Sequence, residues 1–410
     1  MNTKKIKRCR CCGQRDFKKI IDFGNMQLTT EFRKNKIKKK EIPMSLVYCK
    51  LCKLAQLNHS YDLKSMYNKN YGYESGINQS MKIHLKEIVN DAKKKVQLKK
   101  NDAVLDVASN DGTLLKNYKK EILKVGIDPI LSKHKNSYPV NTIKIPNYFN
   151  KKEIEKKIKQ KLKIITTVAV FYDIEDPNIF ISNIKGLLHF DGIWVLEQSY
   201  FLKLIKNNAY DSFCHEHVTY FCVRQIEQIL EKFKLRIIDV KFNEMNGGSI
   251  RLFITHSENK IKSNKKNLNK LNKIENNHFV NLNYNLKKFK KNIEKSKLDL
   301  KNKLKLIKKQ NKKIHVYGAS TKGNVILQYC GISNKDIEFA SDRNKNKWGK
   351  FTPGSNIRII SEKKSRKLNP DYYLVMPRHF TDEFIKREKK FLKKGGKFLF
   401  PLPKLKEISF

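Results

Sequence analysis

The chain has no run of about 18 apolar residues, the length a helix needs to cross a bilayer, and no apolar secretory core follows its basic N-terminus. These absences lead to the expectation of a soluble, cytoplasmic protein with no membrane partner. Acidic residues are scarce, 39 against 88 Lys and Arg, so the net charge is +49. Such an excess invites a nucleic-acid reading, but a nucleic-acid footprint is clustered and interleaves Arg with aromatic residues. Here the charge is mostly Lys and runs through helix faces and linkers, which reads as a solvated surface with no nucleic-acid partner. Neither G-x-G-x-x-G nor a Walker loop occurs, which argues against the usual dinucleotide and P-loop sites. Of eight cysteines, five crowd between Cys9 and Cys52 and the others stand alone, a distribution unlike a secreted disulfide framework.

What is present is organised around Ala103 to Leu115, A-V-L-D-V-A-S-N-D-G-T-L-L. The apolar run enclosing Asp106 predicts a buried parallel strand, and the small polar turn after it predicts a helix start. Asp128, in K-V-G-I-D-P, closes a second apolar run where the next parallel strand would end after one helical crossover. Such a turn offers backbone N–H groups to a ligand, and a carboxylate ending the next strand accepts hydrogen bonds from both ribose hydroxyls. Together they predict a cofactor that contains adenosine. The turn itself, Asp106-x-Ala108-Ser109-Asn110-x-Gly112, resembles the S-adenosylmethionine motif of class I methyltransferases, with Ala108 where glycine is usual. Any nucleotide-binding α/β turn is an equal reading of this stretch taken alone.

Upstream, Cys9-x-x-Cys12 and Cys49-x-x-Cys52 are separated by 36 residues. Two such knuckles facing each other make the four-sulfur tetrahedron of structural zinc; the alternative is four reduced thiols, and Cys11 competes with Cys12 as a ligand. Tyr67, Tyr71 and Tyr73, with Gly72 and Gly76, predict a loop whose rings either line a pocket or pack on the sheet. Ile83, Leu85, Ile88 and Val89 recur at helical spacing and predict a covering helix from Met81 to about Lys100.

Downstream, Asn141 to Phe149, Ile164 to Phe171 and Gly192 to Tyr200 read as the third to fifth strands, with one helix from Lys151 and another capped by Asp176 and opened by Pro177. Ligands sit beyond the carboxyl ends of such strands, which assigns Phe171 and Tyr172 to the cofactor edge and Glu197, Gln198 and Tyr200 to the rim. In C-H-E-H, His215 and His217 flank Glu216 without the H-E-x-x-H spacing. Proton transfer by an imidazole titrating near neutral pH is preferred there, ahead of incidental histidines or a metal site. Leu235 to Glu244 and Ser249 to Thr255 predict a hairpin joined by N-E-M-N-G-G. Ser257 to Lys313 predicts surface helices, with Leu298, Leu300, Leu304 and Leu306 at helical spacing. From Ile314 a second α/β unit begins, and its Ser320, Thr321 and Lys322 at a helix start suit a phosphate, a plain tight turn being the alternative.

The C-x-x-C pairs, S-N-D-G-T-L-L, C-H-E-H, N-G-G-S at Asn246 to Ser249 and Y-G-A-S-T-K-G-N at Tyr317 to Asn324 together resemble, in order and over nearly the whole chain, the deoxysugar C-methyltransferases. The resemblance implies an α/β protein. Its parts are a zinc-binding domain (1–75), a class I Rossmann-like seven-stranded domain for S-adenosylmethionine (76–256), a Lys/Asn-rich helical linker (257–313) and a C-terminal Rossmann-like α/β domain (314–410). It implies a nucleotide-diphosphate-linked keto-deoxysugar as substrate, deprotonation next to the ketone and methyl transfer to carbon. The second histidine of C-H-E-H is the family's usual base, which implies His217, with Glu216 and His215 as orienting partners. Tyr71 or Tyr73, Asn246 and the Ser320–Thr321–Lys322 turn are implied as sugar and nucleotide contacts, with Tyr172 in the same pocket. A monomer or weak homo-oligomer is expected. The competing readings are an O- or N-methyltransferase of another small molecule and, in a different class, a zinc-ribbon RNA-binding or RNA-modifying protein.

Overall fold

The computed structural model describes residues 3–35, 41–62, 66–67, 71, 73–377 and 381–410. Gly72, expected in the tyrosine loop, lies outside them. The N-terminal part contributes β1 (Lys4–Lys5), β2 (Phe17–Met26), β3 (Ile42–Cys49), β4 (Ala55–Leu57) and β5 (His59–Ser60). Strands β2, β3 and β4 form an antiparallel sheet, and β1 pairs with β5. The fourth strand of that sheet comes from far along the chain: Thr219–Tyr220 pairs antiparallel with Gln56 and Ala55.

Next comes α1 (Gln79–Lys93), which buries Leu85, Ile88 and Val89, leaves Ile83 exposed and ends well before Lys100. It covers a sheet built from β6 (Ala103–Val107), β7 (Leu123–Ile127), β8 (Thr142–Ile145), β9 (Leu162–Val168), β10 (Leu188–Ser199), β12 (Leu235–Asn243) and β13 (Ser249–His256), the short Thr219–Tyr220 segment being β11. The order is β12-β13-β10-β9-β6-β7-β8. The pairs from β10 to β8 are parallel, and β13 runs antiparallel to both β10 and β12. Strand order reverses beside β6, which opens a crevice at the carboxyl ends of β6 and β9.

The expected helical crossover from β6 to β7 is not formed; a 3-10 turn at Leu115–Asn117 takes its place. Side chains there satisfy the backbone groups that a helix would pair. Asp111 Oδ1 accepts from the Thr113 N–H (3.2 Å), and Asn117 Nδ2 donates to the carbonyls of Thr113 (3.1 Å) and Leu114 (3.0 Å). The apolar face is covered instead by α1, whose Leu85 and Ile88 belong to one core with Leu114, Leu115 and Tyr118.

On the opposite arm, Asp176 caps α2 (Pro177–Leu187) by accepting from the N–H groups of Asn178 and Ile179 (3.0 Å each). Helix α3 (Val223–Lys232) precedes β12. Two Lys-rich helices, α4 (Lys265–Val280) and α5 (Leu282–Lys309), follow the sheet. In α5, Leu300 and Leu304 face the core while Leu298 and Leu306 face solvent. No described helix is long and apolar enough to cross a membrane.

The C-terminal sheet uses β14 (Ile314–Tyr317), β15 (Phe339–Asp342), β16 (Arg358–Ser361), β17 (Tyr372–Val375), β18 (Lys397–Phe400) and β19 (Lys406–Ile408). Its order is β16-β15-β14-β17-β18-β19, parallel except for β19. After β14 the chain enters α6 (Thr321–Cys330). The N-terminal segment 27–33 is stitched to this unit. The Gln27 N–H donates to Gln328 Oε1 (2.8 Å), Gln328 Nε2 to the Gln27 carbonyl (3.1 Å), Asn324 Nδ2 to the Thr29 carbonyl (2.7 Å) and the Phe351 N–H to the Arg33 carbonyl (2.7 Å).

Candidate active site and zinc centre

The sulfur atoms of Cys9, Cys12, Cys49 and Cys52 lie within 4.8 Å of one another. Cys9 and Cys52 are 3.6 Å apart, as are Cys12 and Cys49. A tetrahedron of Zn–S bonds of about 2.3 Å has edges of about 3.8 Å, so the four thiolates are already near the spacing zinc requires. Cys11 stands outside the cluster, 3.7 Å from the Gln225 carbonyl, which leaves Cys12 as the ligand of its knuckle.

At the crevice beside β6 lies a cavity of about 600 Å³, walled by the middle sheet, the C-terminal unit and Thr30 and Phe32 from the N-terminal part. Asp106, 4% exposed, accepts from the Thr166 hydroxyl (2.7 Å), and burial pushes its carboxyl up to about 7. The turn after it is tightly wound, with φ of +57° at Ala108, +50° at Asn110 and +73° at Gly112. Ala108 therefore holds a left-handed conformation that glycine adopts at lower cost. Gly112 stands one layer behind the wall, where a Cβ would lie 2.8 Å from the Tyr138 ring. Ser109 Oγ pairs with the Tyr138 hydroxyl at 2.7 Å. The Asn110 N–H, expected to serve a ligand, is taken by Asp128 Oδ2 (2.9 Å), while Asp128 Oδ1 accepts from the Ile130 N–H (2.8 Å). Both bonds fix the carboxylate against the cavity; burial pushes its pKa up and the two N–H groups oppose that rise.

Besides Gly112, four expected residues do not line the cavity: Gln198, Phe171, Tyr200 and His215. Phe171 is buried in an aromatic core with Phe221, Phe180 and Trp194, because the chain turns through Ala169 (φ +55°) and breaks the strand alternation; Val168, Ala169 and Val170 line the cavity instead. Tyr200 points to the other side of the sheet, where its hydroxyl donates to Glu275 Oε1 on α4 (2.9 Å). His215 packs edge-on against Tyr61 of the N-terminal part, ring centroids 4.8 Å apart, and burial lowers its pKa to about 4.

His217 does line the cavity. Its Nδ1 lies 2.9 Å from the Ser212 carbonyl, so Nδ1 carries the proton and Nε2 keeps the lone pair. Burial, then the charge of Lys322, lowers its pKa to about 3, so the ring is neutral at physiological pH. Tyr172 packs on it with ring centroids 4.1 Å apart. Glu216 is buried, and the Thr29 hydroxyl spans both its oxygens at 3.2 Å. Tyr71 and Tyr73 line the opening, and the Tyr73 carbonyl accepts from Asn110 Nδ2 (3.2 Å). Asn246 takes φ +54°, and its carbonyl accepts from Lys322 Nζ (2.6 Å). Ser320 and Thr321 line the cavity, but the Ser320 hydroxyl already caps α6 through the Gly323 N–H (3.0 Å).

Glu197 and Asp173, at the strand ends, line the wall, and further residues that carry no sequence signal complete it. Thr30 arrives with segment 27–33, and Asp173, buried, accepts from the Tyr67 hydroxyl (2.5 Å). His84 of α1 bonds Glu197, whose other oxygen accepts from Arg251 Nε (2.7 Å). The C-terminal unit supplies Arg343 and Arg387, paired with Glu383 and Glu362, and Lys347, paired with Asp342.

The sheet order and the acid-bearing crevice define a class I methyltransferase, and the buried Asp106 and Asp128 suit the ammonium and ribose of S-adenosylmethionine. Residues 9–67 match a putative zinc binding domain, 81–240 a methyltransferase domain and 244–403 a C-methyltransferase C-terminal domain. Together the three matches span most of the chain, which is an S-adenosylmethionine-dependent C-methyltransferase. The C-methyltransferase NovU of Streptomyces niveus is 28% identical to it over 415 residues, covering 98% of this chain and 97% of NovU. Solved structures with lower similarity include an S-adenosylmethionine-dependent methyltransferase from Clostridium acetobutylicum (16% identity, TM-score 0.34, 42% of this chain and 90% of that one). N-methyltransferase NodS from Bradyrhizobium japonicum, in complex with S-adenosyl-L-homocysteine, is 11% identical (TM-score 0.34, 45% of this chain and 90% of that one). Scores this low carry no argument about function.

The raised pKa of Asp106 has a measurable consequence. A cofactor ammonium placed against Asp106 would favour the ionised carboxyl, so cofactor binding below about pH 7 is expected to release a proton. The affinity for S-adenosylhomocysteine, measured by calorimetry, is expected to rise toward tenfold per pH unit up to about pH 7 and then level off. In Asp106→Asn this slope should vanish, and an unchanged slope would show that Asp106 is not the titrating group.

Proposed function

We propose that this enzyme methylates a ring carbon of a nucleotide-diphosphate-linked keto-deoxysugar, with His217 removing the proton next to the ketone. The observation that carries the reading is a neutral, half-buried imidazole facing the same cavity as Asp106 and Asp128. Its Nδ1–H is held by Ser212, so Nε2 is the atom available to take a proton. Tyr172 packs against the ring and restricts its orientation. Asp173 and Glu216 offer acceptors to sugar hydroxyls. Arg343, Lys347 and Arg387 place cationic donors on the C-terminal wall, each paired with a carboxylate, and a diphosphate would engage them in competition with those pairs. When bound, the cofactor supplies an activated methyl group, and orientation of the substrate carbon is the protein's task.

The test is to incubate the purified enzyme with labelled cofactor and a panel of nucleotide-linked sugars with and without a ketone. Label should enter ketosugars alone, with loss of one deuterium from the methylated carbon. Transfer to a hydroxyl with that deuterium retained would overturn the proposal.

A further inference from the structure

Taking a proton from the carbon beside a ketone moves a full negative charge onto the ketone oxygen. A neutral imidazole supplies on the order of 10²–10⁴ as a base, and the developing oxyanion still needs a preorganised donor. The sequence suggests a phosphate role for Lys322, but its side chain leads elsewhere. From the first turn of α6 it crosses to the middle part, where Nζ donates to the Asn246 carbonyl (2.6 Å) and to Ser212 Oγ (3.1 Å). Ser212 is also the residue whose carbonyl holds His217 Nδ1. Base and ammonium thus share one anchor and face one cavity. The Asn246 carbonyl is aimed by a left-handed backbone, and Gly248 beside it, at φ +115°, has no space for a Cβ against Lys203. The position of the ammonium is therefore built into the fold.

We propose that Lys322 is a catalytic residue whose ammonium donates to the substrate ketone oxygen and holds the enolate charge while His217 Nε2 takes the adjacent proton. The role rests on the keto-sugar reading above. In this step the C–H bond breaks and its proton goes to Nε2. Its electron pair forms the C=C bond, and the carbonyl pair moves to the oxygen facing Lys322. The cation that makes His217 a weak base in the free site becomes favourable once this negative charge lies beside both groups. Its assignment to the oxygen also explains why a positive side chain is tolerated beside a base.

The proton step can be read without methyl transfer by following exchange of the substrate hydrogen in D2O with S-adenosylhomocysteine in the site. Lys322→Met should slow exchange at saturating substrate by on the order of 10²–10³, and Lys322→Gln by a similar factor, with melting temperature and nucleoside diphosphate affinity close to wild type. Lys322→Arg should restore part of the rate. Exchange at the wild-type rate in folded Lys322→Met or Lys322→Gln would overturn the proposal. So would a defect confined to nucleoside diphosphate binding, which would return the residue to a phosphate role. A wild-type enzyme that exchanges no hydrogen of any nucleotide ketosugar would overturn the substrate reading and this role with it.

Discussion

Replacing His217 with Asn is expected to lower the single-turnover rate of methyl transfer by on the order of 10²–10⁴ while cofactor affinity and melting temperature stay near wild type. Asparagine can still donate a hydrogen bond to the Ser212 carbonyl, 2.9 Å from Nδ1 in the native side chain, but offers no basic lone pair in place of Nε2. The native ring is neutral, so the substitution removes no charge from the site. The cofactor pair, Asp106 and Asp128, is held by Thr166, Asn110 and Ile130, none of which touches His217 among the described contacts. Hydrogen exchange at the substrate carbon should fall by the same factor. Methyl transfer that survives at the wild-type rate would remove His217 from the chemistry.

The second large effect concerns the metal. Stripping zinc, or replacing Cys49 with Ser, is expected to unfold the N-terminal part and abolish methyl transfer together. Structural zinc contributes apparent free energies of about 10–16 kcal/mol in small zinc-binding peptides, comparable with the whole stability of a domain. Cys49 ends β3 and Cys9 lies next to Arg10, so the knuckles anchor both the sheet and its contact with the middle part. Arg10 Nε donates to Glu175 (2.8 Å) and Arg10 also binds the carbonyls of Leu57 (2.8 Å) and His59 (3.0 Å). Loss of this part removes the Thr29 hydroxyl from Glu216 and Thr30 from the cavity wall. Zinc content, a melting curve with and without chelator, and turnover should change in step. Full activity after complete zinc removal would refute the link.

Those two predictions draw on features of unequal visibility in the sequence. The cysteine knuckles and the Asp106 to Gly112 turn are legible because each compresses its chemistry into a few adjacent residues. The succession of strands is legible in the alternation of apolar runs and the final hairpin in the N-E-M-N-G-G turn, whereas the order of the strands in the sheet is not. Thr29 and Thr30 were invisible: Thr29 reaches Glu216 from 187 residues away, and both lie in a segment with no periodicity. His215 and His217 are chemically identical in sequence, and only the path of the turn sends one toward Tyr61 and the other into the cavity. Phe171 and Tyr200 stand just past strand ends, where the two-residue alternation of side chains stops being a guide. The absent crossover helix was decided by Asp111 and Asn117, whose side chains compete for the backbone.

The pairing of Thr219–Tyr220 with Gln56 and Ala55 has a consequence for biosynthesis. The β4 border of the N-terminal sheet stays unpaired until the ribosome has extruded the chain beyond Tyr220, on the order of ten to thirty seconds after β4 emerges at about 5–20 residues per second. During that interval a nascent segment carries an unpaired strand border, open to adhesion with a neighbouring nascent chain. A fragment ending at residue 75 would keep that border for its lifetime, so the zinc knuckles alone would not make it a well-behaved protein.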